Sequence, residues 1–376
     1  MVSRTNSSVL GTRALNRATL ARQLLLSRAE MSARDAVAHL VGLQAQNVKP
    51  PYFQLHARLA GFRPAELAGL MESRDVVRMV TMRSTIHTHT AEDALALRPL
   101  VQPARDREVG TFRAGLAGVD LVRLDALARE YVESAPRTMA EIRAELLGEW
   151  PDADPLALSV AARCRLPLVQ VTPRGVWGRS GQVRLTTLEQ WLGRGGRGGR
   201  GVLGGARVDS VVVRYLRAFG PASVRDMQTW AGLTRLGEAF ERLRPGLITF
   251  RDENGVELFD LPDAERPDAD TPAPPRFLPE FDNLLLSHAD RSRVVPADLK
   301  GRSWKGNQAY RTLLVDGFLG GLWKIEEREG TARVVVELFG AVGAARREEI
   351  VAEGESMLAA MTGAERTSVE FGPVAG

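Results

Sequence analysis

Val76-Val77-Arg78-Met79-Val80-Thr81-Met82-Arg83-Ser84-Thr85-Ile86-His87-Thr88-His89-Thr90 is dense in β-branched residues and alternates in polarity, so it reads as a β-hairpin. What precedes it has helical spacing. Apolar positions Leu15, Ala18, Leu20, Leu24 and Leu25 within residues 13–28 suggest an amphipathic helix. Ser32, with Asp35 three residues on, opens a second helix expected to run to about Leu43. Further helices are expected at 52–59 and 64–73, the latter with Pro64 in its first turn. The first part of the chain is therefore helices followed by a hairpin.

The same order returns twice. Thr138 caps a helix through 147 and Asp154 another through 162; residues 166–172 then form a strand. Pro173-Arg174-Gly175 makes the turn, and the returning strand includes Trp177 and continues over 183–186. The third round places helices near 209–219, 223–231 and 234–243, then strands at 247–251 and 256–261 around Glu253-Asn254-Gly255. Asn-Gly is the strongest short hairpin signal. Helices closed by a two-stranded wing, repeated, are the plan of tandem winged-helix domains. Beyond them, strands at 312–315, 319–326 and 333–339 and a helix at 344–361 suggest a small barrel or a sheet layered with the last helix.

The expected class is thus α+β, with three tandem winged-helix modules and a C-terminal β-barrel-like region. The modules fall at 1–120, 121–192 and 207–261, and the β-rich region at 277–376. A Gly/Arg linker at 193–206 and a Pro-rich one at 262–276 separate them.

A chain of 376 residues exceeds what one core usually fills. Its 50 basic and 46 acidic residues give a formal charge of +4, too little to establish a nucleic-acid partner alone. Only Lys49, Lys300, Lys305 and Lys324 are lysines; the rest of the cations are arginines, which suit phosphate but also follow from a GC-rich genome. The single cysteine, Cys164, excludes an intrachain disulfide and any multi-cysteine metal site, and its apolar neighbours mark it as a packing thiol. No apolar run reaches the length of a membrane span, and the expected location is the cytoplasm. His87-Thr88-His89 would aim two rings to one side of a strand, but five histidines and no cysteine cluster favour structural or DNA-contact roles over a metal. Neither a metal nor a cofactor is expected, and Gly-x-Ser-x-Gly and P-loop signatures are missing.

Gln44-Ala45-Gln46 follows the second helix and precedes the break Asn47-Val48-Lys49-Pro50-Pro51. Once the backbone leaves helical geometry, alternation aims both amides into one space, where they can hold a water molecule between them. A bare Gln-x-Gln is weak by itself, because such pairs commonly face solvent or satisfy helix-end carbonyls.

Four segments together carry a resemblance: Leu43-Gln44-Ala45-Gln46, Met82-Arg83-Ser84-Thr85-Ile86-His87, Leu278-Pro279-Glu280-Phe281-Asp282-Asn283 with Ala289-Asp290-Arg291, and the glycine-rich stretch over 317–323. Along nearly its whole length the chain resembles the AlkZ-type winged-helix DNA glycosylases. The resemblance implies three winged-helix modules and a barrel-like region around a channel for double-stranded DNA. It implies excision of guanine alkylated at N7, including bulky natural-product adducts and interstrand crosslinks, with the Gln-apolar-Gln motif as catalytic group at Gln44 and Gln46. DNA contacts are expected from Asn47, Lys49, Arg83, Thr85, His87, Arg302 and Lys305, and Asp282 and Arg291 are expected to hold the C-terminal layer by polar pairing. The partner is then double-stranded DNA carrying alkylated guanine, and a monomer suffices. A non-catalytic winged-helix DNA-binding protein or transcriptional regulator is the competing reading. It explains the repeats and leaves the two glutamines without a task.

Overall fold

Ser32 begins a helix as its sequence context requires: its hydroxyl accepts from Asp35 N at 3.0 Å, and Ala33–His39 follows. In the computed structural model, which describes residues 8–193 and 208–374, that helix ends at His39 rather than near Leu43. Val41 and Gly42 take left-handed backbone, and the chain re-enters as the short strand Leu43–Gln44. Gln44 pairs opposite His87 of the strand Ile86–Thr90, so the Gln-x-Gln motif sits on a sheet edge and not on a helix end. The first helix is likewise shorter than expected, Thr12–Arg22, because Leu24 turns left-handed where Arg22 anchors on Asp260 at 2.5 and 2.7 Å.

Helices and several sheets make the α+β class. The expected hairpin is Val76–Val80 with Ile86–Thr90. It does not end a separate unit: Val76–Val80 also pairs antiparallel with Leu168–Gln170, which pairs with Leu185–Thr187. The first two hairpins and the strand Leu43–Gln44 therefore form one five-stranded sheet. Trp177 lies in the connection before the last strand, not within it. Between the two hairpins run the helices Ala91–Leu100, Gln102–Thr111 and Leu121–Ser134, none of which the apolar pattern announced. Thr90 and Asp120 supply N-caps for the first and last of them.

Around Asn254-Gly255 the strands Ile248–Asp252 and Glu257–Asp260 form the expected hairpin, and Val9–Leu10 adds a parallel third strand. The Pro-rich segment that follows is irregular and reaches Arg276–Leu278. The Gly/Arg linker, apart from Gly193, lies outside the described residues.

The C-terminal part is not a barrel. Its five strands run in the order Arg366–Phe371, Thr331–Leu338, Phe318–Arg328, Thr312–Val315, Arg276–Leu278, and the two edges do not meet. The reason is the helix Ala344–Met361, a crossover between Thr331–Leu338 and the parallel strand Arg366–Phe371. It buries Ile350, Met357, Leu358 and Met361, so the sheet covers its apolar face without closing on itself.

Trp323, 1% exposed, ties this sheet to the N-terminal region. Its indole donates to Leu278 O at 2.9 Å, and its ring packs 5.6 Å from Phe53 on the helix Pro50–Arg58. Asn16, Arg13 and Arg17 on the first helix bind the Asp316–Gly317 turn and the Arg293 carbonyl. Both contacts thus tie the N-terminal region to the C-terminal sheet. Among the described residues, no helix is long and apolar enough to cross a membrane.

Candidate active site

The backbone of Gln44 and Ala45 is held by three bonds before the side chains of the motif are considered. Ala45 N donates to Ile86 O at 2.7 Å, Ala45 O accepts from Arg78 Nη2 at 2.9 Å, and Gln44 O accepts from Gln54 Nε2 at 3.0 Å. Gly42 must be glycine here: at φ +97, a Cβ would stand 2.3 Å from His89 Nδ1. From the C-terminal half, the 280–283 segment grips the motif at both ends. Asn283 Nδ2 donates to Gly42 O at 2.9 Å, and Asn47 Nδ2 donates to Glu280 Oε1 at 3.1 Å. Between them Asp282 receives both Arg58 amino groups, at 2.7 and 2.8 Å, with both side chains fully buried.

The two carboxamides lie in different environments. Gln44 is 4% exposed, and its Oε1 accepts from Arg83 Nη2 at 2.6 Å. Gln46 is exposed; its Oε1 accepts a long 3.4 Å bond from Ile86 N. Gln46 borders a cleft of about 240 Å³ with Met79, Ser84, Ile86 and Leu168. The sequence reading placed both amides in one open space, but only Gln46 stands in the open, because Gln44 is drawn inward by Arg83.

Arg83 reaches Gln44 from a left-handed backbone at φ 53. Gly232 lies against it so closely that a Cβ there would meet Arg83 N at 2.9 Å. Its other amino group donates to Trp230 O, and Nη2 also lies 3.4 Å from His87 Nε2. Among the described residues no carboxylate pairs with this guanidinium. Burial, with repulsion from Arg291, lowers its pKa from 12.5 to about 10, so it stays cationic at neutral pH. Burial also holds His87 well below the usual 6.5 and brings His89 to about 4. The rings stack at 5.5 Å, with His87 Nδ1 on Thr85 O and His89 Nε2 on Thr81 Oγ1. Both are neutral internal groups. Among the described residues no cluster of three or more His, Cys, Asp and Glu side chains could hold a metal.

The remaining sequence-derived residues divide. Thr85 bonds Met82 O within the turn, and His87 is 1% exposed. Asn47 and Lys49 are exposed beside the motif, with the Lys49 ammonium 5.8 Å from the Trp177 ring. Lys305 is exposed on the small hairpin Trp304–Lys305 with Gln308–Ala309. Arg302 stacks 4.3 Å from Phe339 near Glu337. Trp304 packs between Phe281 at 5.7 Å and Arg291 at 5.5 Å. So Arg291 braces the C-terminal layer through a ring, and Asp282 through Arg58. Sequence reasoning missed Gln54, Arg58, Arg78 and Asn283. Arg58 carried one signal, a cation following the apolar helix that contains Phe53 and Leu55.

Chemically, the arrangement offers two neutral amides, one polarised by a cation, and among the described residues no acid is bonded to either. Such a site can hold and orient water but cannot protonate a leaving group. Comparison with known proteins gives it a context. A family model described as DNA glycosylase AlkZ-like matches residues 37–360. The solved structure of Streptomyces sahachiroi DNA glycosylase AlkZ is similar with a TM-score of 0.77 and 19% identity, covering 97% of this chain and 100% of that one. No curated protein matches the sequence.

Proposed function

Because the chain belongs to the AlkZ-like DNA glycosylase family and is a DNA glycosylase, we propose that it hydrolyses the N-glycosidic bond of N7-alkylguanine in duplex DNA, with Gln44 and Gln46 positioning the attacking water. The observation that supports this reading is a buried carboxamide held by Arg83 two residues from an exposed one, with no acid bonded to either among the described residues.

N7-alkylguanine bears a positive charge. When the C1′–N9 electrons leave with the base, the base departs neutral, so no proton has to be supplied. The water oxygen bonds to C1′, its surplus proton passes to solvent, and the products are free alkylguanine and an abasic deoxyribose. Carboxamide dipoles stabilise the oxocarbenium-like sugar and orient the water without introducing a titrating group. Neutral bases are spared, because their departure requires protonation. Bulky N7 adducts and crosslinks through guanine N7 share the same leaving group and belong to the same substrate class.

The helix–hairpin segments, the first two of which share one sheet, read as winged-helix modules, and Asn47, Lys49, Arg302 and Lys305 as contacts to the lesion-bearing duplex. Arg83, Thr85 and His87 serve the turn from within. One chain suffices for one lesion. The test is incubation with duplexes carrying a single N7-methylguanine, an N7-linked bulky adduct or a crosslink. Release of free alkylbase and alkali-labile sites from lesion duplexes alone is expected. Tight binding without base release would instead mark a DNA-binding protein that lacks turnover.

A further inference from the structure

We propose that Arg83 is a positioning residue that fixes which end of the Gln44 carboxamide faces the substrate, making Gln44 the hydrogen-bond donor and Gln46 the acceptor of the pair. The inference rests on reading the two glutamines as the water-holding group.

A glutamine amide has one oxygen and one nitrogen of nearly equal size, and either can point inward. Arginine removes the choice. A guanidinium has only donors, so the atom 2.6 Å from Arg83 Nη2 must be the Gln44 oxygen; the flipped amide would press N–H against N–H. Arg83 is itself held in place by the Trp230 carbonyl and by the close approach of Gly232 to its backbone. The Gln44 NH2 is then the end left available, and it meets no acceptor among the described residues.

Gln46 stands oppositely. Among the described residues its side chain makes one bond, the 3.4 Å contact from Ile86 N to Oε1, too long to bind firmly, so its oxygen can turn to an incoming water. A water between them accepts from Gln44 Nε2 and donates to Gln46 Oε1, which leaves its second lone pair for C1′. The lack of a carboxylate at Arg83 among the described residues serves the same end, because a competing anion would take the guanidinium away from Gln44.

Gln44→Glu, Arg83→Met and the double variant Arg83→Met with Gln44→Ala separate this from other roles. The carboxylate that Gln44→Glu introduces keeps the Arg83 contact but cannot donate. Gln44→Glu is therefore expected to fold with an unchanged or higher melting temperature and to lose N7-methylguanine excision as fully as Gln44→Ala. Arg83→Met should slow single-turnover excision about 10- to 100-fold, with Kd and the salt slope of DNA binding unchanged, and the double variant should be no slower than Gln44→Ala alone. An active Gln44→Glu enzyme, or Arg83 and Gln44 losses that multiply, would overturn the assignment. A reduced salt slope in Arg83→Met would make Arg83 a phosphate contact instead and overturn it equally. Should Gln44→Ala and Gln46→Ala both retain full rate, the reading of the pair itself fails, a result distinct from all of these.

Discussion

Two arginines are set inside this protein in opposite ways. Arg58 is fully buried against Asp282, which joins the helix Pro50–Arg58 to the C-terminal segment through two short bonds. Arg83 is partly buried and, among the described residues, meets only neutral groups, Gln44 Oε1, Trp230 O and His87 Nε2. A paired buried cation is a structural fixture, since removing either partner strands a charge. An unpaired one directs its field into whatever amide it touches. The first junction holds the frame, and the second polarises a candidate catalytic group.

The largest expected effect in the frame is at Arg58. Arg58→Met should cost about 3–5 kcal/mol in denaturant unfolding because Asp282 remains buried without a partner. A loss under about 1 kcal/mol would erase the contrast between the junctions.

Acid provides a second probe. The histidines His39, His56, His87, His89 and His288 are all shifted down by burial, His89 to about 4 from 6.5. A lowered folded value means that the unfolded chain binds protons the folded one refuses. Stability is therefore full above about pH 6.5 and falls as pH drops toward 4, by about 1.4 kcal/mol per unit for a histidine such as His56 or His89, each brought to about 4. Unfolding curves at a series of pH values should show the decline, and His87→Asn should make it shallower. A pH-independent midpoint across that window would contradict the neutral packing of these rings.

Arg83→Met should melt within about 1 kcal/mol of wild type, since it strands no opposite charge. A loss as large as that of Arg58→Met would give the two junctions the same role. The smallest effect is expected at the outer surface: Lys305→Ala should lower the logarithmic salt slope of duplex binding by about 1 and leave the excision rate unchanged.

What the sequence made legible was local. The Ser32 cap, the Asn254-Gly255 hairpin and the strand–turn–strand over 76–90 all follow from neighbouring residues. Gln44 and Gln46 stood out by position, as residues leaving a helix. The environment that distinguishes them did not, because Arg83 lies 39 residues from Gln44 in sequence and Asp282 lies 224 from Arg58. The barrel expectation failed for the same reason. Arg-Thr-Ser-Val-Glu-Phe at Arg366–Phe371 is mostly polar and exposed, as an edge strand is, so its apolar pattern is faint. Its parallel pairing, set by the crossover helix, decides that the sheet stays open. The fusion of the first two hairpins through Met79 and Val169 is a register between distant segments that periodicity alone does not encode.

The most direct test of the two carboxamides is a single-turnover comparison of wild type, Gln44→Ala and Gln46→Ala on one N7-methylguanine duplex, with binding measured in the same buffer. Each substitution is expected to slow base release about 100- to 1,000-fold while Kd moves by less than about threefold. Wild-type rates in both variants, or losses that follow Kd alone, would contradict the claim that these amides position the water.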